Sequence, residues 1–345
     1  MRTMSVLLSN LFFTNFKQRR RYLIILLLLF FAVSCNKPDD PEPYSIKYYS
    51  SFNLGTRPFA LAVNPESGEV FTLCYKHAFY DSCCIEKYSA EGDLLGTIVD
   101  FETLSRGNYP GYFLSDLFIG DKGELYVIGQ PEIEMAYDGI SVLQFNTDGV
   151  FQKEIPFLGN GQGSYNRATA YRKGTVYFAG NRQIKTFPLN GKAGKTYLLP
   201  DRESDSSPFT LNVSGIAVNS LGEIFLTGQS FNDSVNVFNT LHHLTVYNPD
   251  REQIDSTRQL SGEGCVPGAM VSQPRVEIGD EDRLYLSTFY CEKLLIFDKS
   301  GKQLSEINLQ EFGDKNFIPY DVAVGNKRVY IANATEKKVL IFKEE

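Results

Sequence analysis

The chain predicts an all-β fold, a six-bladed β-propeller of four-stranded antiparallel blades, its ring closed by an N-terminal strand pairing with the last blade. Three observations lead there. Short runs rich in β-branched and aromatic residues recur along the sequence, too short for helices and bounded by Gly, Asn and Asp turns. The pattern of apolar run, tight turn, and second apolar run with an aromatic near its start occurs six times. Its marker aromatics, Phe71, Tyr126, Tyr177, Phe225, Tyr285 and Tyr330, are 55, 51, 48, 60 and 45 residues apart, which suits one four-stranded blade per repeat.

The first 34 residues stand apart. Lys17, Arg19, Arg20 and Arg21 precede twelve apolar residues, 22–33, followed by Ser34 and Cys35. This basic, apolar, small-residue order is that of a secretory signal, and twelve residues are short for a membrane span, which needs about twenty. The ending Ala32-Val33-Ser34-Cys35 resembles a bacterial lipobox, although Leu is commoner where Ala32 stands. The resemblance implies that Cys35 is the lipidated first residue of the mature chain. A plain signal peptide with Cys35 as an ordinary thiol is the alternative.

Residues 36–43, Asn-Lys-Pro-Asp-Asp-Pro-Glu-Pro, are Pro-rich and acidic, an extended tether that would hold a domain off a bilayer. Acidic residues just after the Cys also resemble the surface-export signals of Bacteroidota lipoproteins. Loss of residues 1–34 takes five basic residues and no acid, leaving 29 basic against 41 acidic residues and a net charge of −12. That balance argues against nucleic acid as a partner. The expected partners are the membrane, through the lipid, and a protein or glycan; the expected state is a monomer in the cell envelope, at the outer membrane.

Blade one opens with 60–63 and 69–72, blade two with 116–119 and 124–127, and blade three with 168–171 and 175–178. Blades four, five and six open with 215–218 and 223–226, 275–278 and 283–286, and 321–324 and 329–332. Third runs follow at 85–88, 142–145, 184–187, 244–247, 294–297 and 338–342, blade three being the least regular. Only the sixth repeat has no room for a fourth run. Residues 44–52 form an orphan alternating strand, and pairing it with 338–342 would close the ring and remove two exposed edges.

The segments PYDVAVGNKRVYIANATEKKVLIF and PRVEIGDEDRLYLSTFYCEKLLIFDKSG resemble the repeats of NHL-repeat and TolB-type six-bladed propellers. The resemblance extends from Tyr44 to Glu345 and implies fold far more than activity, because this architecture hosts lactonases, lyases and binding modules alike.

Turns expected on one face of the ring are short, whereas the other face receives longer stretches, among them 101–115, 131–139, 200–212, 230–240 and 261–274. Loops on a rigid scaffold are where binding residues usually sit. Ala60, Asp116, Ala168, Gly215, Arg275 and Asp321 are expected to ring the channel mouth. Asp116, Arg275 and Asp321 form a candidate polar site there, with two readings: an ion or polar ligand site, or Asp–Arg pairing and carboxylates bonded to neighbouring amides. Arg275 opposes a divalent metal, and hard metals want more oxygen ligands.

No catalytic constellation is legible. His77, His242 and His243 come from separate blades, and the two adjacent ones would point to opposite sides of a strand. Cys74 with Cys83 or Cys84, and Cys265 with Cys291, are candidate loop disulfides, permissible after export. Tyr109, Tyr112, Tyr137 and Tyr165 fall in the longer stretches and could contact a sugar or peptide. The function expected is therefore a binding or scaffold module without cofactor, engaging protein, peptide or glycan through the long-loop face. The alternative is a lactonase-like hydrolase using Ca or Mg at Asp116 and Asp321.

Overall fold

Each repeat forms one four-stranded antiparallel sheet in the computed structural model, which describes residues 44–75, 83–100, 112–131, 140–157, 168–180, 183–199, 211–230, 241–259, 275–288, 292–313, 317–333 and 335–345. The expected signal, Cys35 and the tether lie outside the described residues. Blade one comprises β2 (Arg57–Val63), β3 (Val70–Tyr75), β4 (Cys83–Tyr88) and β5 (Leu94–Asp100). Blade two comprises β6 (Tyr112–Ile119), β7 (Leu125–Pro131), β8 (Ile140–Phe145) and β9 (Phe151–Phe157), and blade three β10 (Ala168–Arg172), β11 (Thr175–Ala179), β12 (Gln183–Pro188) and β13 (Thr196–Leu198). Blade four holds β14 (Leu211–Val218), β15 (Ile224–Ser230), β16 (Leu241–Asn248) and β17 (Gln253–Gln259). Blade five holds β18 (Arg275–Ile278), β19 (Leu284–Thr288), β20 (Lys293–Phe297) and β21 (Gln303–Asn308).

The sixth sheet differs in the origin of its outer strand. Its order is β1-β24-β23-β22, with β1 (Ile46–Asn53) from the start of the domain and β22 (Pro319–Gly325), β23 (Arg328–Asn333) and β24 (Lys338–Glu344) from its end. The ladder runs from Ile46↔Glu344 to Asn53↔Lys338. The orphan strand and the missing strand of the sequence are thus partners, and the closure is the one expected. Phe52, the one buried residue of β1, packs on Tyr88 of blade one at 4.8 Å between ring centroids, so β1 belongs to blade six and seals against blade one.

The first strand of each blade is innermost. β2 packs against β6, β6 against β10, β10 against β14, β14 against β18, β18 against β22, and β22 against β2, which closes the ring. Apolar side chains from facing blades fill the seams, Phe71, Leu73 and Ile85 meeting Leu117, Leu125 and Val127 between blades one and two. Phe225 meets Leu284 and Leu286 between blades four and five. The marker aromatics Phe71, Phe225, Tyr285 and Tyr330 are fully buried, which is why an aromatic recurs once per repeat: its large apolar area fills the inter-blade space. Both faces of a blade are covered, so the strands read as continuous apolar runs.

The turns repeat a side-chain device. Asn64, Asn146, Asn219 and Asn248, and Asp298, accept backbone N–H groups two to four residues ahead, bending the chain into a tight polar turn. Gly149 closes one of these at φ +81°, where an added Cβ would lie 1.9 Å from the Ile98 carbonyl oxygen of blade one. Among the described residues no helix is long and apolar enough to cross a membrane.

Candidate functional site

Four of the six innermost strands carry a register shift at the same place. The extra residue falls between Pro58 and Ala60, Leu114 and Asp116, Val213 and Gly215, and Pro319 and Asp321. A bulge bends the strand and re-aims the side chain that follows it. In blades two and six that side chain is a carboxylate, and it reaches toward the next blade.

Asp321 is buried and its Oδ2 accepts the backbone N–H of Leu61 in blade one at 2.7 Å. Leu61 lies on the inner edge of its sheet, so this carboxylate satisfies an amide that the blade's own ladder cannot reach. Asp116 makes the analogous link, its Oδ2 accepting the hydroxyl of Thr169 in blade three, while its Oδ1 accepts the N–H of Leu117 at 2.9 Å. Arg275 comes from blade five, opposite blade two, and its Nη1 lies 3.7 Å from Asp116 Oδ2. The guanidinium therefore spans the lumen and closes the channel at this level.

The ring expected from the sequence is thus assembled in part. Asp116, Gly215, Arg275 and Asp321 line the central cavity of about 190 Å³, but Ala60 and Ala168 do not, and Leu61 and Thr169 take their places. Ala60 and Ala168 are instead fully enclosed in the seams. All the cavity's lining comes from this polar layer or from residues between it and the short turns, such as Phe118, Tyr171, Ala323 and Pro65. The described cavity opens toward the short-turn face, where a second hollow of about 370 Å³ adjoins it through Pro65, Ile119 and Tyr171.

Sequence reasoning missed Glu277. It follows Arg275 by two residues on β18 and lines the cavity, its surface exposed to the lumen. Burial within the ring, then the Asp321 and Asp116 charges, push its carboxyl up to about 8. Asp321 is raised by burial to about 7, against the pull of Arg275. A signal for Glu277 was present. The residues paired with the marker aromatics are Ala62, Phe118, Ala170, Ala217, Glu277 and Ala323, and one of these six is charged.

Among the described residues no group of three or more His, Cys, Asp and Glu is placed to hold a metal ion. His242 and His243 lie on β16 as the partners of Gln229 and Gly228, and His77 is outside the described residues. Cys74, Cys83 and Cys84 belong to the strands themselves and are buried thiols with no disulfide among them, so the expected staple of Cys74 with Cys84 is not formed. Cys74 faces Cys84 across the ladder, but its thiol donates to Thr72 Oγ1 at 3.3 Å and Glu86 Oε2 at 3.8 Å, and burial pushes it far above the usual thiol range. Cys265 and Cys291 lie outside the described residues, as do Tyr109, Tyr137 and Tyr165, whereas Tyr112 begins β6.

No protein-family model matches the chain, and no curated protein matches it. Solved structures do. A catalytically inactive virginiamycin B lyase from Staphylococcus aureus, with quinupristin, is 14% identical, covers 87% of this chain and 99% of its own, and has a TM-score of 0.51. Raptor from Chaetomium thermophilum is 10% identical, covers 88% of this chain and 29% of its own, with a TM-score of 0.52. A protein of unknown function from Bacteroides caccae is 12% identical over 82% of this chain and 98% of its own, with a TM-score of 0.49. At such identities the likeness shows the propeller fold alone.

Proposed function

We propose that the protein is a cell-envelope lipoprotein whose propeller is a binding or scaffold module, engaging a protein, peptide or glycan through its long-loop face. The observation that carries this reading is where chain length is spent. On one face the turns are tight, β10 to β11 and β22 to β23 being joined by two residues each. Far longer stretches of sequence, 101–111, 199–210 and 260–274, separate the last strand of one blade from the first strand of the next. Long connections on a rigid ring are where recognition residues usually sit. The bonding of Asp116 and Asp321 to neighbouring blades supports a structural rather than a reactive role for them.

The direct test is binding of the full-length protein, in detergent, to peptide and glycan arrays. A variant whose residues 231–240 are replaced by a Gly-Ser linker should keep its melting temperature and lose a specific interaction. Unchanged binding across replacements of each long stretch would end this reading. The membrane anchor rests on Cys35: Cys35→Ala should abolish lipid labelling and membrane retention.

The convergence of Asp116, Glu277 and Asp321 on one cavity is the observation that keeps a hydrolase in view. That reading requires a divalent ion in the purified protein and turnover that disappears in Asp116→Asn.

A further inference from the structure

The cavity on the short-turn side of the polar layer has features that the long-loop reading does not use. Its floor is the Asp116–Arg275 pair with Asp321 beside it, so that three carboxylates, counting Glu277, face one guanidinium. Asp116 is committed to Arg275, Thr169 and Leu117, and Asp321 to Leu61. Glu277 has no ion-pair partner among the described residues. Its surface is exposed to the lumen, so a ligand cation can reach the carboxylate directly.

The opposite wall is apolar and rigid. Phe118 is stacked between Tyr126 and Tyr171, at 5.2 and 4.9 Å with the planes within 12°. Tyr171 is itself fixed, its hydroxyl oxygen accepting the backbone N–H groups of Asp121 at 3.1 Å and Gly174 at 2.9 Å. A wall held in this way loses no side-chain freedom when it is covered.

We propose that this cavity binds a compact organic cation, an ammonium or guanidinium group on a short apolar stem, with the cation at Glu277 and the stem along Phe118 and Tyr171. Sign selects a cation, since acids outnumber bases in the lumen. A metal ion is disfavoured because Asp116 and Asp321 are bonded to neighbouring groups and Glu277 alone offers a hard cation too few oxygens. A neutral ligand would leave Glu277 without compensation. After desolvation, the Asp321 and Asp116 charges add to the upward push on the Glu277 carboxyl, and the same charges would draw a cation in. None of the long stretches contributes to the cavity's described lining, so this proposal is tested apart from the long-loop reading.

The test is calorimetric titration of the full-length protein in detergent with n-butylammonium chloride above pH 8, with n-butanol and sodium butyrate as controls. Saturable binding of butylammonium alone is expected. Glu277→Gln should weaken it at least tenfold and Phe118→Leu severalfold, at unchanged melting temperature, while Asp250→Asn, an exposed acid on an outer turn, leaves it unaltered. Binding that survives in Glu277→Gln, equal binding of butanol, or the absence of saturation would each overturn the proposal. Should Phe118→Leu fail to fold, Glu277→Gln alone decides, since an amide of the same shape keeps the packing.

Discussion

Phe52→Ala perturbs the seam where the two ends of the propeller meet. Phe52 is 8% exposed, pairs with Val339 across the β1–β24 ladder, and packs on the Tyr88 ring and over Gly92, where an added Cβ would come within 2.4 Å of it. Truncating such a side chain loses its transfer free energy and leaves a cavity, about 3–5 kcal/mol together. Against a domain stability of about 5–15 kcal/mol this is a large share. The melting temperature should fall by roughly 6–10 °C, taking about 2 °C per kcal/mol for a large domain. Tyr49→Ala in the same strand is the control. That ring is 48% exposed and carries Arg328 and Lys343 at 5.1 and 5.8 Å from its centroid. Surface cation–π contacts of this kind contribute about 0.5–1 kcal/mol. Urea unfolding followed by circular dichroism measures both. A closed ring predicts one cooperative transition displaced as a whole in Phe52→Ala. A loss no greater than that of Tyr49→Ala, or an early partial transition with the remainder unmoved, would show that the ring does not depend on β1.

Asp321 allows charge and hydrogen bonding to be separated. Asp321→Ala orphans the Leu61 amide and should cost about 1–3 kcal/mol, whereas Asp321→Asn keeps an acceptor, sheds a buried charge, and should match or exceed the parent at pH 8, both read from urea midpoints. The pH dependence follows from the raised carboxyls. Asp321 at about 7 and Glu277 at about 8 hold protons that the unfolded chain has released, so stability falls as pH rises from about 4 through these values. The other ionisable groups facing them are Asp116 of β6, Tyr171 of β10 and Arg275 of β18, with none from β2 or β14. Glu277→Gln should flatten the decline, and a parallel pH profile would refute the assignment. Gly149→Ala should cost roughly 2 kcal/mol or more from backbone strain and its close approach to Ile98, while Gly222→Ala, at φ +87° in open space, should cost about 1 kcal/mol. Thermal melts of the pair distinguish the two, and equal losses would show that the approach to Ile98 is immaterial.

The fold was legible because burial on both faces of a blade forces a composition that recurs, and because a closed ring leaves a countable remainder: one strand short at the end, one strand over at the start. The candidate site was legible only in part. Asp116, Arg275 and Asp321 stood out as polar residues at an apolar repeat position, but their partners are fixed by bulges at Phe59, Ser115 and Tyr320 that periodicity does not reveal. Glu277 is hidden within the short run Arg275–Ile278, and only its pairing with the marker aromatic Tyr285 sets it apart. Cys74 and Cys84 do bracket the β3–β4 hairpin, as partners across its ladder, but spacing alone does not reveal that both thiols are buried and unbridged.

The manner of closure also sets how the ring responds to tension. β1 and β24 are antiparallel, with Ser45 accepting the Glu345 N–H at 3.1 Å, so both ends leave the ladder at the same edge. A pull between them loads the rungs one after another, from Ile46–Glu344 inward, instead of shearing all of them at once. A propeller that resists heat as a single unit would therefore open by unzipping under modest force applied between the two ends of this ladder.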